Sequence, residues 1–329
     1  MAKPGKRNLI TDVAGLRVGN AEDPDVLTGT TVILADEPAI AAVAVAGGGP
    51  GTRETDLLKS GTLVDQVDAI VLSGGSTFGL AAADGVAAEL GTMGRGFGLI
   101  DLPGVPKAPI APGAILYDLA NGGNKDWAGD PPYQRLGREA VRTVSDTYDL
   151  GPTGAGIGAR AGSHQGGLGS ASIQTDDGMT VGALAAVNCF GSVYMPGTEA
   201  FWAWPFEIDR EFGGVRPENN YQADAEDWGA SKMNPGAGQN TTIACIATNV
   251  SLTPDQAQRV ADIALTGFAR AIRPVFTPFD GDAVFVLSTN KTPLSEPHPF
   301  TIMKIGEYAA STLARAIARG VYEAGKYQA

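Results

Sequence analysis

The period of apolar and polar positions changes several times along the chain, and each change predicts an element. Short β-type runs, bounded by glycine and proline, occupy 30–34, 42–46, 69–72 and 114–117. Helical spacing interleaves with them at 78–90, which is rich in alanine, and at 133–145. The middle of the chain reads as β at 171–174, 180–189 and 192–195. From 213 to 239 no apolar period survives, which predicts a long polar loop, and a loop of that length in a compact domain is usually functional or disordered. A β-branched, apolar run then begins at Thr241 and continues to Ala247.

Thr253-Pro254-Asp255-Gln256 combines an N-cap, a proline at the first helical position and a capping-box glutamine, so a helix starts there. Its apolar face is Ala257, Val260, Ala261, Ala264, Phe268 and Ala271. A strand at 283–287 and an amphipathic helix at 302–321 complete the tail. Interleaved strands and helices predict an α/β (α+β) class, and with no internal repeat the chain reads as one domain, 1–329, interrupted by one exposed loop.

Composition narrows the chemistry. With 329 residues and 43% apolar content the chain can bury a large core. No segment approaches the roughly 20 apolar residues that span a bilayer, so no membrane partner is expected and the default location is cytoplasmic. Cys189 and Cys245 are too few for a disulfide framework or a cysteine metal site, and both read as buried small apolar residues. A net charge of -12 argues against nucleic acid as a partner and favours cationic or neutral ligands. His164 and His298 are the only histidines and there is no Gly-x-Ser-x-Gly elbow, which weighs against histidine-based triads and metal sites. No cofactor and no metal are expected.

Candidate chemistry concentrates where the long loop meets the strand, at Asn240-Thr241. Cut before it, the chain would present Thr241 with a free α-amino group, titrating at about 7.7 to 8.0, beside its own hydroxyl. Taken alone, an Asn-Thr pair that opens a strand needs no such chemistry. Asp280-Gly281-Asp282 sets two carboxylates around a glycine before a strand, where they can position an amine or simply form a turn. Asn188 closes an apolar run and could donate to an oxyanion, and Tyr117 ends a strand with its hydroxyl able to reach a pocket. Glycine clusters at 47–51, 74–79 and 154–158 invite a phosphate-loop reading. None fits the P-loop pattern, and tight turns with close backbone packing explain them better.

Together these pieces resemble a known family. Gly49-Pro50-Gly51-Thr52-Arg53-Glu54-Thr55-Asp56, Leu72-Ser73-Gly74-Gly75-Ser76-Thr77-Phe78-Gly79-Leu80 and Tyr117-Asp118-Leu119, followed by Asn240-Thr241, look like the L-aminopeptidase/D-esterase family of self-processing N-terminal-nucleophile hydrolases. The aminopeptidase members typically carry serine at the nucleophile position, so Thr241 makes this chain more similar to the nylon-oligomer (6-aminohexanoate oligomer) hydrolases.

The resemblance implies a four-layer α/β/β/α sandwich, usually a homo-oligomer, and autocleavage into fragments 1–240 and 241–329 that stay associated. It implies that Thr241 forms an acyl-enzyme with an amide substrate, that Asp280 and Asp282 orient the new amine and hydroxyl, that Asn188 helps the oxyanion, and that Tyr117 lines the pocket. The leading activity is hydrolysis of amide bonds in short linear oligomers, nylon type. The alternatives are an L-aminopeptidase or β-peptidyl aminopeptidase and, from another class, a non-catalytic metabolite-binding protein. One departure stands out. The family lysine expected before a Gly-Gly pair is replaced by Gln165, with Ser163 just upstream and Arg160 the nearest alternative cation.

Overall fold

The computed structural model describes residues 2–100, 102–232 and 240–327. The polar stretch 234–239, which leads into Asn240 in the sequence, lies outside them. In chain order, β1 (Leu16–Asp23), β2 (Thr28–Val45), β3 (Thr52–Arg53) and β4 (Gln66–Ser73) lead into α1 (Ala82–Thr92), β5 (Gly113–Ile115) and α2 (Tyr133–Arg142). The short pair β6 (Arg160–Ala161) and β7 (His164–Gln165) precedes β8 (Gly167–Gln174) and β9 (Thr180–Asn188). After the long loop come β10 (Thr241–Val250), α3 (Pro254–Ala269), β11 (Ala283–Thr292) and α4 (His298–Gly325).

Among the described residues these strands form a nine-stranded sheet in the order β3-β5-β4-β2-β11-β10-β9-β8, with β1 paired to β2. The hinge of the architecture is β2. The sequence reads its halves, 30–34 and 42–46, as separate strands because Asp36-Glu37-Pro38 interrupts the apolar pattern. They belong to one 18-residue strand whose exposed middle coincides with a register shift against β4 between Leu34 and Ala39. The sheet folds over there, a common use of such irregularities.

Alternation along the strands then sorts side chains into layers. Ile33, Ile70 and Leu72 from one half meet Leu184, Ile243, Cys245 and Phe285 from the other in a shared inner core. Val32, Leu34, Ala69 and Val71 face outward onto α1 and α2, and Ala244, Ile246, Val284 and Val286 face α3 and α4. The result is the four-layer α/β/β/α sandwich implied by the resemblance. Cys189 and Cys245 are both buried, as read.

The helix at Thr253 has the expected cap: Gln256 N donates to Thr253 Oγ1 at 3.3 Å and Thr253 N donates to Gln256 Oε1 at 3.0 Å. Its predicted apolar face is buried throughout. Two further readings need correction, and one strand goes unread. The predicted strand at 192–195 is only a pair of isolated bridges, Ser192 with Arg273 and Tyr194 with Phe201, because the chain leaves the sheet after Asn188. The helix predicted from 78 begins as a 3-10 turn, Ser76–Ala81, and becomes α-helical only at Ala82. β1 has no counterpart in the sequence reading, since Arg17, Gly19 and Asn20 dilute its apolar alternation. No helix among the described residues is long and apolar enough to cross a membrane.

Candidate active site

β10 lies in the sheet between β9, antiparallel to it, and β11, parallel to it. Thr241 is the cross-strand partner of Asn188, and Asn240 bridges Asp280. Three adjacent strands therefore bring Thr241, Asn188, Asp280 and Asp282 to one end of the sheet, all of them buried. The Thr241 hydroxyl donates to the carbonyl oxygen of Asn240, the residue just before it. Gly281 N donates to that same oxygen at 3.2 Å. The Asn240 side-chain amide is buried with no hydrogen-bond partner among the described residues.

Gly281 is required by space. A Cβ there would sit 2.8 Å from Thr241 Oγ1 and 2.7 Å from Gly49 O. Behind this turn runs the first glycine cluster: Ala46 N and Gly47 N donate to Asp282 O at 3.0 and 3.2 Å, and Gly49 N donates to Asp280 O at 2.8 Å. The cluster is a backbone clamp on the Asp-Gly-Asp turn, the close-packing role that glycine permits.

The two carboxyl groups are held by backbone N–H groups. Asp280 Oδ1 accepts from Phe190 N at 3.1 Å, while its Oδ2 accepts from Thr277 N at 3.1 Å and Thr277 Oγ1 at 2.6 Å. Asp282 Oδ1 accepts from Thr242 N at 2.7 Å and Oδ2 from Phe276 N at 3.3 Å. Burial first, then the Asp280 charge, pushes the Asp282 carboxyl well above the usual carboxylate range. The closely spaced acids thus hold a proton that a solvated pair would lose. Among the described residues neither carboxyl bonds to Thr241, whose nitrogen is part of the Asn240–Thr241 peptide bond.

Asn188 is oriented from several sides. Its Oδ1 accepts from Arg160 N at 2.9 Å and from Asn121 Nδ2 at 3.3 Å, and its Nδ2 donates to Tyr117 O at 2.9 Å. Tyr117 therefore enters the site through its carbonyl, two residues beyond β5, with the side chain half-buried. Arg160, the alternative cation of the sequence reading, meets Asn188 through its backbone rather than its guanidinium. Arg160 contributes its backbone N–H while its guanidinium, among the described residues, reaches Ser163 O at 3.5 Å, and Ser163 is fixed by its own N–H to Ala230 O at 2.7 Å. Gln165 Nε2 donates to Ile157 O at 3.4 Å.

Among the described residues a cationic side chain that meets Asn188 is Lys232, which the sequence reading passed over. Its backbone N donates to Phe190 O at 2.9 Å, and its Nζ donates to Asn188 O at 3.4 Å and Asn188 Oδ1 at 3.5 Å. Burial lowers its pKa to about 8, with Cys189 and Asp280 pulling upward and Arg160 downward. A lone lysine in a patternless polar stretch carries no sequence signal; only the fold brings it to Asn188.

The other candidate features do not join this centre. The Gly74-Gly75 turn binds an internal anion, since Gly75 N donates to Asp118 Oδ1 at 2.8 Å. A cavity of about 510 Å³ lies nearby, lined by His164, Tyr194, Glu199, Phe201, Phe212 and Tyr322 among others, and Thr241 and the two aspartates are not part of its wall.

The sequence model of peptidase family S58 matches residues 8–329. An uncharacterized aminopeptidase of Mycobacterium tuberculosis is 39% identical, over 96% of this chain and 94% of its own length. A 6-aminohexanoate-oligomer endohydrolase of a Kocuria species is 30% identical, over 88% of this chain and 77% of its own. Among solved structures, a Burkholderia beta-aminopeptidase superposes with a TM-score of 0.70 at 22% identity, covering 97% of this chain and 88% of that one. The L-aminopeptidase D-Ala-esterase/amidase of Ochrobactrum anthropi, described as a variant of the Ntn hydrolase fold, gives 0.69 at 21% identity, covering 98% and 88%. These two share the fold of the present chain.

Proposed function

The chain belongs to peptidase family S58 and is an aminopeptidase-like amide hydrolase, and on that premise we propose that it cuts itself before Thr241 and then uses Thr241 as an N-terminal nucleophile. The observation that carries this reading is the double contact on the Asn240 carbonyl, from the Thr241 hydroxyl and from Gly281 N–H. A neighbouring hydroxyl and an N–H donor on the same carbonyl oxygen fit an acyl shift, in which Thr241 Oγ bonds the Asn240 carbonyl carbon, the C–N bond breaks and the hydroxyl proton passes to the freed nitrogen. Gly281 N–H faces the oxygen on which negative charge grows. Water then hydrolyses the ester, leaving a carboxylate on Asn240 and a free amine on Thr241.

In turnover that amine accepts the hydroxyl proton as Oγ attacks a substrate amide, the leaving amine takes the proton, and water releases the acyl group. Asp280 and Asp282 orient the amine and hydroxyl, Asn188 helps bind the oxyanion, and Tyr117 lines the pocket. Fragments 1–240 and 241–329 remain associated as one domain because β10 pairs with β9 and β11 with β2, both strands of the larger fragment. Assembly as a homo-oligomer is part of the same reading, tested by sedimentation.

Aminopeptidase activity on short amides is the first substrate reading, because the relative so named is the more similar one. Hydrolysis of linear amide oligomers is the second, favoured by threonine at 241 and by the relative named for 6-aminohexanoate oligomers. This reverses the order expected from the sequence. Denaturing electrophoresis of purified protein tests the nucleophile: two bands, the smaller beginning at Thr241, are expected, and a chain that stays whole on long incubation sinks the reading. Parallel assays with aminoacyl anilides and 6-aminohexanoate oligomers separate the two substrates.

A further inference from the structure

Lys232 is a half-buried ammonium held by neutral oxygens. Among the described residues no carboxylate lies within 4.0 Å of its Nζ, although Asp280 is close enough to act on it through space. Burying a charge without a paired counterion is costly, and the cost falls when negative charge appears beside it. In amide hydrolysis that charge appears on the oxygen of the carbonyl under attack, and Lys232 sits against Asn188, the cross-strand partner of Thr241.

We propose that Lys232 is the positioning and charge-supplying residue of the oxyanion site: its ammonium, with Arg160 N and Asn121 Nδ2, holds the Asn188 amide oxygen so that the nitrogen is the donor face, and its charge offsets the oxyanion. This rests on the reading of Thr241 as nucleophile. Other cationic or polar side chains near the site are engaged elsewhere. Arg160 reaches toward Ser163 O, Gln165 is neutral, and Lys125 donates to the carbonyls of Val26 and Leu27 beside Asp118. The role expected of a family lysine near Gln165 is thus taken by a lysine from the loop before the cut, one that stays on the larger fragment and can serve both self-cleavage and turnover.

The test uses the full chain with Lys232→Met, Lys232→Arg and Lys232→Ala. The readouts are the rate of fragment appearance and kcat and KM for an aminoacyl anilide across pH 6 to 10. Lys232→Met is expected to lower kcat roughly 10- to 100-fold with KM within about 3-fold. The groups facing Lys232 are Asp280, Cys189 and Arg160; with them in place, wild-type kcat is expected to fall as Lys232 loses its proton near pH 8. Lys232→Arg keeps its charge at any accessible pH, so it should retain most of kcat and carry that alkaline fall upward by about one pH unit or more. Propylammonium should partly restore Lys232→Ala.

Wild-type kcat in Lys232→Met, or equal damage in the Arg and Met variants with an unmoved alkaline limb and no ammonium rescue, would overturn the proposal while leaving Thr241 untouched. A wild-type chain that never cuts itself would overturn both. If Lys232→Met fails to fold by circular dichroism, the alkaline limb of Lys232→Arg decides alone.

Discussion

At the Gly74-Gly75 turn after β4, the buried Asp118 carboxylate accepts from Gly75 N at 2.8 Å and from Thr28 Oγ1 at 2.6 Å, with Lys125 close by. At the Asp280-Gly281-Asp282 turn before β11, buried carboxylates also accept from backbone N–H groups, but the glycine between them sits under a hydroxyl and donates to the carbonyl that hydroxyl touches. Both turns combine glycine with a buried acid. At the first, the space is filled: a Cβ on Gly75 would strike the Tyr133 ring at 2.0 Å and one on Gly74 would strike Asp118 Oδ2 at 2.1 Å. At the second, the Thr241 hydroxyl and the Asn240 peptide carbonyl share the space. Glycine beside acid therefore marks close approach, and what makes close approach into chemistry is the group on the other side.

Two neighbouring threonines on opposite faces of β10 separate close packing from chemistry. Thr241→Ala removes the hydroxyl on the Asn240 carbonyl and, on the proposed reading, is expected to stop both self-cleavage and turnover, a loss of at least ~10³-fold. Thr242 points to the other face of β10 and its buried hydroxyl has no hydrogen-bond partner among the described residues. Thr242→Val should therefore cut itself and turn over within about 3-fold of wild type, because replacing an unpartnered hydroxyl costs little. Gel densitometry over time measures both, and equal loss in the two variants would remove the distinction.

Gly281→Ala comes next. Its methyl would overlap Thr241 Oγ1 and Gly49 O, so either the hydroxyl or the N–H donor must shift off the carbonyl. Processing should slow by about 10²-fold, comparable to losing one oxyanion donor. Unchanged fragment formation would show that the turn has room to spare. Asp282→Asn should do less. Burial and Asp280 already keep a proton on this pair, so a neutral amide that still accepts from Thr242 N should preserve processing within about 10-fold.

The sequence made much of this legible, for physical reasons that also explain its failures. Thr241, Asn188 and Asp280-Gly281-Asp282 each stand at the border of a β-branched run, where strand ends and turns are marked by local composition. α3 was readable from its cap and face because both are patterns within a few residues. β2 was split in two since a bend is written in the register between strands, not along one of them. Lys232 was invisible for a similar reason. Its place is set by one backbone bond to Phe190, 42 positions away in sequence by subtraction of 190 from 232, and no spacing rule spans a loop of that length.

The smallest expected effect belongs to the first turn. Burial raises the Asp118 pKa above its ordinary value even though Thr28, Lys125 and Gly75 pull it down. A carboxyl with a raised pKa binds its proton more tightly folded than unfolded, so its contribution to stability falls as pH rises from the unfolded value through the folded one. Asp118→Asn removes that titration and keeps one acceptor oxygen for Gly75 N or Thr28 Oγ1. The variant should differ from wild type by only about 1 kcal/mol. The difference in Tm, variant minus wild type, should move in the variant's favour between pH 4 and pH 7, with self-cleavage at the wild-type rate throughout. A variant that folds as stably as wild type but no longer cuts itself would place Asp118 in the chemistry and erase the distinction between the two turns.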